Sequence, residues 1–294
     1  MMDGKTGQLK TRFAPTPSGY VHLGNVYSFI LTWLVARKND GKILLRIDDL
    51  DKARYRLEYV EDIFITLDKL GLDYDEGPLT ISEFESEYSQ TKRVDLYNDN
   101  IKILESECLL FNCDCSRKSI QEQSDDGNYP GTCLEKGLPY TLNQTASRLI
   151  TSEREVVFQD EGLGTRRANV AKINPYFIIR KKDGYPAYQL ASLVDDLHFG
   201  INYIVRGEDL LTSTFSQLYL AKILGQQQFE QAKFHHHKLL TDKNQKLSKT
   251  QKAQPVKELI MKSDGNAKIY GGFSRWLGLS DECRSLNDLL MLFK

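Results

Sequence analysis

Three side chains in this sequence have the chemistry to hold a polyphosphate, and they stand far apart. His22 lies in RFAPTPSGYVHLGN (residues 12–25); Lys246 and Lys249 flank a small hydroxyl residue in KLSKT (246–250), more than 220 residues later. An imidazole N–H can donate to a phosphate oxygen, and two ammonium groups suit a departing polyphosphate as point charges. Arg12 and Arg206, the second in VRGEDLL (205–211), offer planar forks that match a carboxylate bidentately. Each residue also has a plainer reading. His22 can be a helix-start residue facing solvent, KLSKT a solvated basic loop, and either arginine a structural ion-pair partner.

The local sequence says how His22 must be held. Arg12 to Ala14 ends a short strand, and Pro15 and Pro17 fix φ and force the residues before them into extended conformations. Gly19 permits a tight turn. Val26, Phe29, Ile30, Trp33 and Leu34 then recur at the spacing of a buried helix face. A strand, a turn and a helix leave the first helical N–H groups unpaired at the positive end of the helix dipole, which is an anion site. Gly24 lets a ligand approach the first turn. The prolines keep the preceding segment out of the helix, so the expected object is a rigid mouth for a nucleotide.

The same alternation continues. KILLRID (42–48) reads as a buried strand, Leu57–Leu70 as a helix closed by Gly71, and Tyr88–Glu107 as a third amphipathic helix. Strand, helix, strand, helix is the order of a parallel α/β unit. From about residue 108 to 170 the character changes to polar loops, short strand-like pieces and four of the five cysteines, which suggests an insertion. Helical and strand-like patterns return with PYFIIRK, AYQLASLVDD and NYIVRGEDLL, and a helix is expected over Phe215–Leu224. Cys113, Cys115 and Cys133 offer three thiolates for a tetrahedral zinc site, with buried unreactive cysteines as the alternative. Cys108 and Cys283 are expected to be packing residues. His235, His236 and His237 are read as strand residues, because neighbours on a strand face opposite ways and cannot all reach one ion.

HLGN (22–25) and KLSKT (246–250) together resemble the two signatures of class I aminoacyl-tRNA synthetases. RFAPTPSG, LRIDDLD (45–51), YQLASLVDD (188–196) and VRGEDLL narrow the resemblance to the glutamyl/glutaminyl group. The chain stops 44 residues beyond Thr250, too short for an anticodon-binding domain, and so resembles the truncated paralogues that join glutamate to queuosine at the wobble position of tRNA(Asp). The pattern Cys113-x-Cys115, Tyr129, Cys133 resembles the zinc ligands of those paralogues.

The resemblance implies an α/β fold: a class I synthetase Rossmann-type parallel sheet, a zinc-containing insertion and a short helical C-terminal region. The division it suggests is 1–107 and 188–245 for the halves of the catalytic domain, 108–187 for the insertion, and 246–294 for the KLSKT loop with a short stem-contact-like region. It implies glutamyl-adenylate formation, with His22, Lys246 and Lys249 at the phosphates. Arg12, Ala14, Thr16, Asp48, Tyr188 and Arg206 would line glutamate. Gly24, Asn25, Glu208, Leu240 and Lys249 would line ATP. Partners are ATP with Mg²⁺, L-glutamate and queuosine-containing tRNA(Asp); one structural Zn²⁺ per chain is implied. Two departures stand out: Asp48 in RIDD replaces a glutamate of the family's RIED, a side chain one methylene shorter, and Ser192 stands where full-length glutamyl enzymes carry asparagine. A compact synthetase charging a tRNA 3′ end, an inactive adenylate- or tRNA-binding paralogue, and a small-molecule nucleotidyltransferase are the competing readings.

The bulk properties agree with a globular protein. The 294 residues are 40% hydrophobic and 27% charged, with 39 basic and 40 acidic side chains. A net charge of −1 neither requires nor forbids a basic groove. No apolar run of membrane-spanning length occurs, and five cysteines without a secretion signal suit a reduced cytoplasm. The chain is expected to act as a monomer.

Overall fold

The structure is a computed structural model and describes residues 7–124, 127–242, 245–246, 256–280 and 283–294. In chain order the first elements are β1 (Lys10–Phe13), α1 (Leu23–Lys38), β2 (Lys42–Leu45), α2 (Leu57–Lys69), α3 (Ile81–Glu83) and α4 (Val94–Ser106). There follow β3 (Leu110–Cys113), α5 (Arg117–Gln123), β4 (Ala146–Leu149), β5 (Glu155–Asp160), β6 (Gly164–Asn169), α6 (Val170–Ile173) and β7 (Ile178–Arg180). Then come α7 (Tyr188–His198), β8 (Tyr203–Gly207), α8 (Leu211–Ile223), α9 (Gln227–Glu230) and β9 (Lys233–His237). The short strands β10 (Thr241–Asp242) and β11 (Gln245–Lys246) precede α10 (Val256–Ile260), α11 (Gly265–Leu277) and α12 (Leu286–Leu292). Among the described residues no helix is long and apolar enough to cross a membrane.

The chain forms two compact units. The first gathers residues up to Lys92, Tyr203–Glu208 and the segment from His237 onward. Here β1 and β2 run parallel, in register from Lys10 with Lys42 to Phe13 with Leu45, joined by the crossover helix α1. The ladder continues past both strands: the Arg46 amide donates to the Phe13 carbonyl at 2.9 Å, and the Asp48 amide to the Pro15 carbonyl at 2.9 Å. Proline lacks an N–H but keeps its carbonyl, so Pro15 can accept from Asp48 while donating nothing. On the far edge of β2 the Leu45 amide donates to the Glu76 carbonyl.

Helix α1 is more deeply buried than its stripe suggests. All ten residues from Val26 to Ala36, Ser28 aside, are buried, Tyr27, Leu31 and Val35 among them. A helix apolar on every side needs neighbours on every side. The second face is covered by α11: Tyr27 meets Phe273 and Trp276, both with ring centroids 5.5 Å apart. The expected third helix over 88–107 begins later, at Val94. Asp49 explains the delay, since it accepts from the Gln90 amide at 2.8 Å and the Ser89 hydroxyl at 2.7 Å, drawing the chain into short irregular turns.

The second unit holds Arg93–Asn202 and Asp209–His236. In it, β4 lies between β3 and β7, antiparallel to both. A β5–β6 hairpin pairs Glu155 with Asn169 through to Asp160 with Gly164, and β5 meets β9 in parallel at Asp160 and Phe234. Arg93 and Tyr97, at the start of α4, converge on Asp195 of α7; the guanidinium Nε lies 2.7 Å from one carboxylate oxygen and the phenol donates to that oxygen at 2.7 Å. All three are buried, so this acid of YQLASLVDD locks two helices together, as a fold residue should.

Candidate active site

His22 caps α1. Its Nδ1 accepts from the Asn25 amide at 3.3 Å, and the Asn25 Oδ1 accepts from the His22 amide at 3.2 Å. With Nδ1 acting as acceptor, the neutral ring carries its proton on Nε2, so the cap fixes the tautomer and makes Nε2 the donor. Gly24 has a reason beyond ligand approach: a Cβ there would sit 3.2 Å from both Cε1 and Nδ1 of His22. The histidine-x-glycine-asparagine spacing is therefore one device. Asparagine closes the cap and glycine leaves room for the ring above the first turn.

The candidate glutamate residues of the first unit come from neighbouring strands. Arg12, on β1 and 4% exposed, donates through Nη1 to the Val205 carbonyl on β8 at 3.1 Å, beside the equally buried Arg206. Ala14 is half-buried and Thr16 exposed, on the proline segment whose Pro15 carbonyl holds the Asp48 amide. Asp48 is 8% exposed and is already engaged: Arg46 grips it bidentately, Nε to Oδ1 at 2.7 Å and Nη2 to Oδ2 at 3.0 Å. Residues two apart on an extended chain share a face, which is the sequence signal for this pair. Tyr188, 38% exposed at the start of α7, and the fully buried Ser192 belong to the second unit.

Of the candidate ATP residues, the exposed Glu208 accepts from the Leu239 amide through Oε1 at 3.3 Å, which ties the end of β8 to the residue before Leu240. The backbone of Lys246 forms part of β11, which pairs with β10. Lys249 lies outside the described residues.

The three cysteines of the proposed metal site converge. The Sγ atoms of Cys113, Cys115 and Cys133 lie within 4.8 Å of one another, and those of Cys115 and Cys133 are 3.6 Å apart. Tetrahedral thiolates 2.3 Å from zinc would be separated by about 3.8 Å, so the spacing fits. Tyr129 is with them: its hydroxyl accepts from the Cys133 amide at 2.8 Å, and the Arg148 guanidinium lies 3.9 Å from its ring centroid. Burial alone would raise the Cys113 thiol, but hydrogen bonds from Tyr129 and Arg148 and the arginine's charge outweigh it and hold its pKa below the ordinary value. Cys115 is pushed up to about 11 by burial and by sharing a proton with Cys133, and burial also raises Tyr129. Three thiols this close, with Cys115 and the neighbouring Tyr129 both disfavoured as anions in the absence of a cation, suit a metal ion. Cys283 is buried as expected. Cys108 is not a packing residue: it is exposed, with φ of 54° in the turn after α4.

The histidine run forms β9 and splits by face. The His236 ring joins Asp160 on one side and the Thr214 hydroxyl, at 2.7 Å, on the other, all three buried. His237 packs edge-on to Trp276. Gly162 lets the hairpin reach this strand, because a Cβ there would lie 2.3 Å from the His236 carbonyl oxygen. Among the described residues the cysteine cluster is the metal-competent group, and the histidines are not part of one.

Residues 8–282 match the family of class I tRNA synthetases (E and Q), catalytic domain. The chain belongs to that family of ligases. Among curated relatives, a Glutamyl-Q tRNA(Asp) synthetase of Nitratidesulfovibrio vulgaris is 35% identical over 284 residues, 92% of this chain and 87% of that protein. Another so named, from Pseudomonas syringae pv. syringae, is 36% identical over 83% of this chain and 78% of its own length. A Glutamate--tRNA ligase of Dehalococcoides mccartyi is 36% identical over 75% of this chain and 46% of its own length. In fold, the chain is similar to the crystal structure of glutamate-tRNA synthetase from Elizabethkingia anophelis, with a TM-score of 0.80 at 22% identity. That match covers 98% of this chain, which spans about two thirds (66%) of the other.

Proposed function

We propose that this chain activates glutamate with ATP and transfers the glutamyl group to queuosine at the wobble position of tRNA(Asp). The observation that carries the first half is the tautomer fixed at His22, an Nε2–H donor at the start of α1 in the β1–α1–β2 unit, with Arg12 on β1 bonded to the Val205 carbonyl of β8 next to Arg206. In this reading the α-carboxylate of glutamate attacks the α-phosphorus of ATP. A carboxylate oxygen–phosphorus bond forms, the bond to pyrophosphate breaks, and no proton moves. Catalysis is then positioning and charge stabilisation. His22 donates to the α-phosphate as its charge grows. Lys246 and Lys249 hold pyrophosphate, with Mg²⁺ accompanying the nucleotide. Arg12 and Arg206 bind the carboxylates of glutamate beside Ala14 and Thr16, and Tyr188 is assigned to glutamate by its match to the family position. Asp48 receives the ammonium while Arg46 holds it in place. Gly24, Asn25, Glu208 and Leu240 border ATP. Cys113, Cys115, Tyr129 and Cys133 would hold a zinc ion, which supplies a tetrahedral cross-link.

The queuosine half is supported by the names of relatives matched over most of both lengths. The test is direct. Glutamate-dependent ATP–pyrophosphate exchange is expected, with labelled glutamate reaching tRNA(Asp) that carries queuosine and not its unmodified transcript. Charging of unmodified tRNA(Glu) would mark a compact 3′-end synthetase instead, and the lack of any exchange an inactive paralogue.

A further inference from the structure

One carboxyl group in the first unit is buried without a fold-level reason. Asp62 sits on α2 and is 1% exposed. It shares the apolar face of that helix with Val60, Ile63, Thr66 and Leu67. One of its oxygens accepts from the Val21 amide at 2.7 Å; the other, Oδ1, is buried with no hydrogen-bond partner. A carboxyl group taken out of water with half its acceptor capacity unused is costly, and an aliphatic residue would serve the helix better. Burial accordingly pushes its pKa up, against the opposing effects of the Val21 amide and the Lys257 charge.

What this residue accomplishes lies at its partner. Val21 immediately precedes His22, and its side chain is buried. The Val21 carbonyl accepts from the Val256 amide at 3.1 Å, the first residue of α10. The nitrogen of that same peptide, the His22 amide, donates to Asn25. So the Val21–His22 peptide plane is pinned at both ends, and the peptide before it is pinned by Asp62. Together these three bonds determine where α1 begins and how the His22 imidazole leaves the backbone.

We infer that Asp62 is a positioning residue for His22, acting through the Val21 amide, with the Val256 amide as its counterpart on the opposite side of the same residue. The inference rests on the role proposed for His22 in adenylate formation. It commits to a mechanism: Asp62 touches no substrate, and its loss changes the orientation of an imidazole rather than the affinity for glutamate.

Three variants and two readouts test it. Asp62→Ala removes the acceptor. Asp62→Asn keeps an oxygen for the Val21 N–H. Val256→Pro removes the donor to the Val21 carbonyl at the first helical position, where proline is tolerated. Full-length protein is assayed for kcat and KM in glutamate-dependent ATP–pyrophosphate exchange, and the His22 tautomer is read by ¹⁵N NMR of the labelled imidazole. Asp62→Ala and Val256→Pro are expected to lower kcat by about 10- to 100-fold, the cost of misplacing a reacting group by about an ångström. The KM for glutamate should stay near wild type, and the Nδ1 acceptor signal of His22 should be lost or shifted. Asp62→Asn should stay within about threefold of wild type, since its acceptor geometry is retained. Wild-type kcat and an unchanged His22 spectrum in both Asp62→Ala and Val256→Pro would overturn the inference. So would an equal fall in Asp62→Ala and Asp62→Asn with that spectrum unchanged. Should Asp62→Ala fail to fold, Val256→Pro decides by the same two readouts. A wild-type protein without exchange activity would count against the proposed reaction alone, because the NMR comparison still decides the positioning claim.

Discussion

The two nitrogens of His22 can be separated by experiment. Nδ1 closes the cap of α1, and in the proposed reaction Nε2 is the donor. Asparagine is among the best capping residues, so His22→Asn should keep the melting temperature near wild type while removing the Nε2 donor. The expected result is a fall in exchange kcat of about 100-fold or more, the scale seen when one donor to a developing oxyanion is removed. His22→Ala should lose both properties. Calorimetry beside exchange kinetics checks the pair, and equal stability losses in the two variants would contradict the cap. At this scale the sequence was informative wherever neighbours along the chain do the work, as with His22, Gly24 and Asn25. It was silent where the partner is remote. Asp62 is a single acid within the Leu57–Leu70 pattern, and nothing near it in the chain points to its partner Val21, 41 residues away. Arg46 went unnoticed because the RIDD motif directs attention to its acids, yet two-residue spacing on a strand already put Arg46 and Asp48 on one face.

The elements of the second unit carry their own pH signature. Burial lowers the pKa of His235 below its ordinary 6.5, despite the nearby charges of Asp160 and Glu161. The folded chain therefore binds this proton less well than the unfolded chain. Its contribution to stability is present above pH 6.5 and is lost as the pH falls below that value toward the folded pKa. For Asp160, burial alone would raise the pKa, but the His236 ring and amide and the Leu163 amide outweigh it and hold the carboxyl low. That contribution is kept until the pH falls below the ordinary 3.8 and through the lower folded value. The urea midpoint should thus fall between pH 7.5 and 5.5, and His235→Gln should flatten this decline without altering the loss near pH 3. The cysteine cluster gives a second prediction. Cys133→Ala should reduce bound zinc to background by elemental analysis and lower stability by several kcal/mol. A wild-type melting temperature unmoved by chelator would argue against a structural metal. Here the strand-like character of PYFIIRK and of the histidine run was legible, while β3, β4 and β6 were not, and the true start of α4 was hidden because Asp49 overrides helix propensity across Ser89 and Gln90 from 40 residues upstream.

Over the whole molecule, what could be read early was the order of elements and the two signatures. Which segments condense together came from the family resemblance alone, which joined 188–245 to 1–107; the residues by themselves did not show it. Tyr203–Glu208 and the region after His237 join the first 92 residues in one compact unit, although some 110 residues intervene in the chain (93 to 202). Composition and spacing hold no information about such closures, which depend on the Arg12 to Val205 bond and on α11 covering the second face of α1. The rim formed by residues 14 to 18 has one more consequence. Pro15 has spent its carbonyl on Asp48, and neither Pro15 nor Pro17 possesses an amide hydrogen. An extended segment from another molecule that drifted against this border would meet missing donors at both positions, and β-pairing could not propagate along it. At those two positions a neighbouring chain's carbonyls would find no backbone donor, so a ladder begun beside β1 would end there.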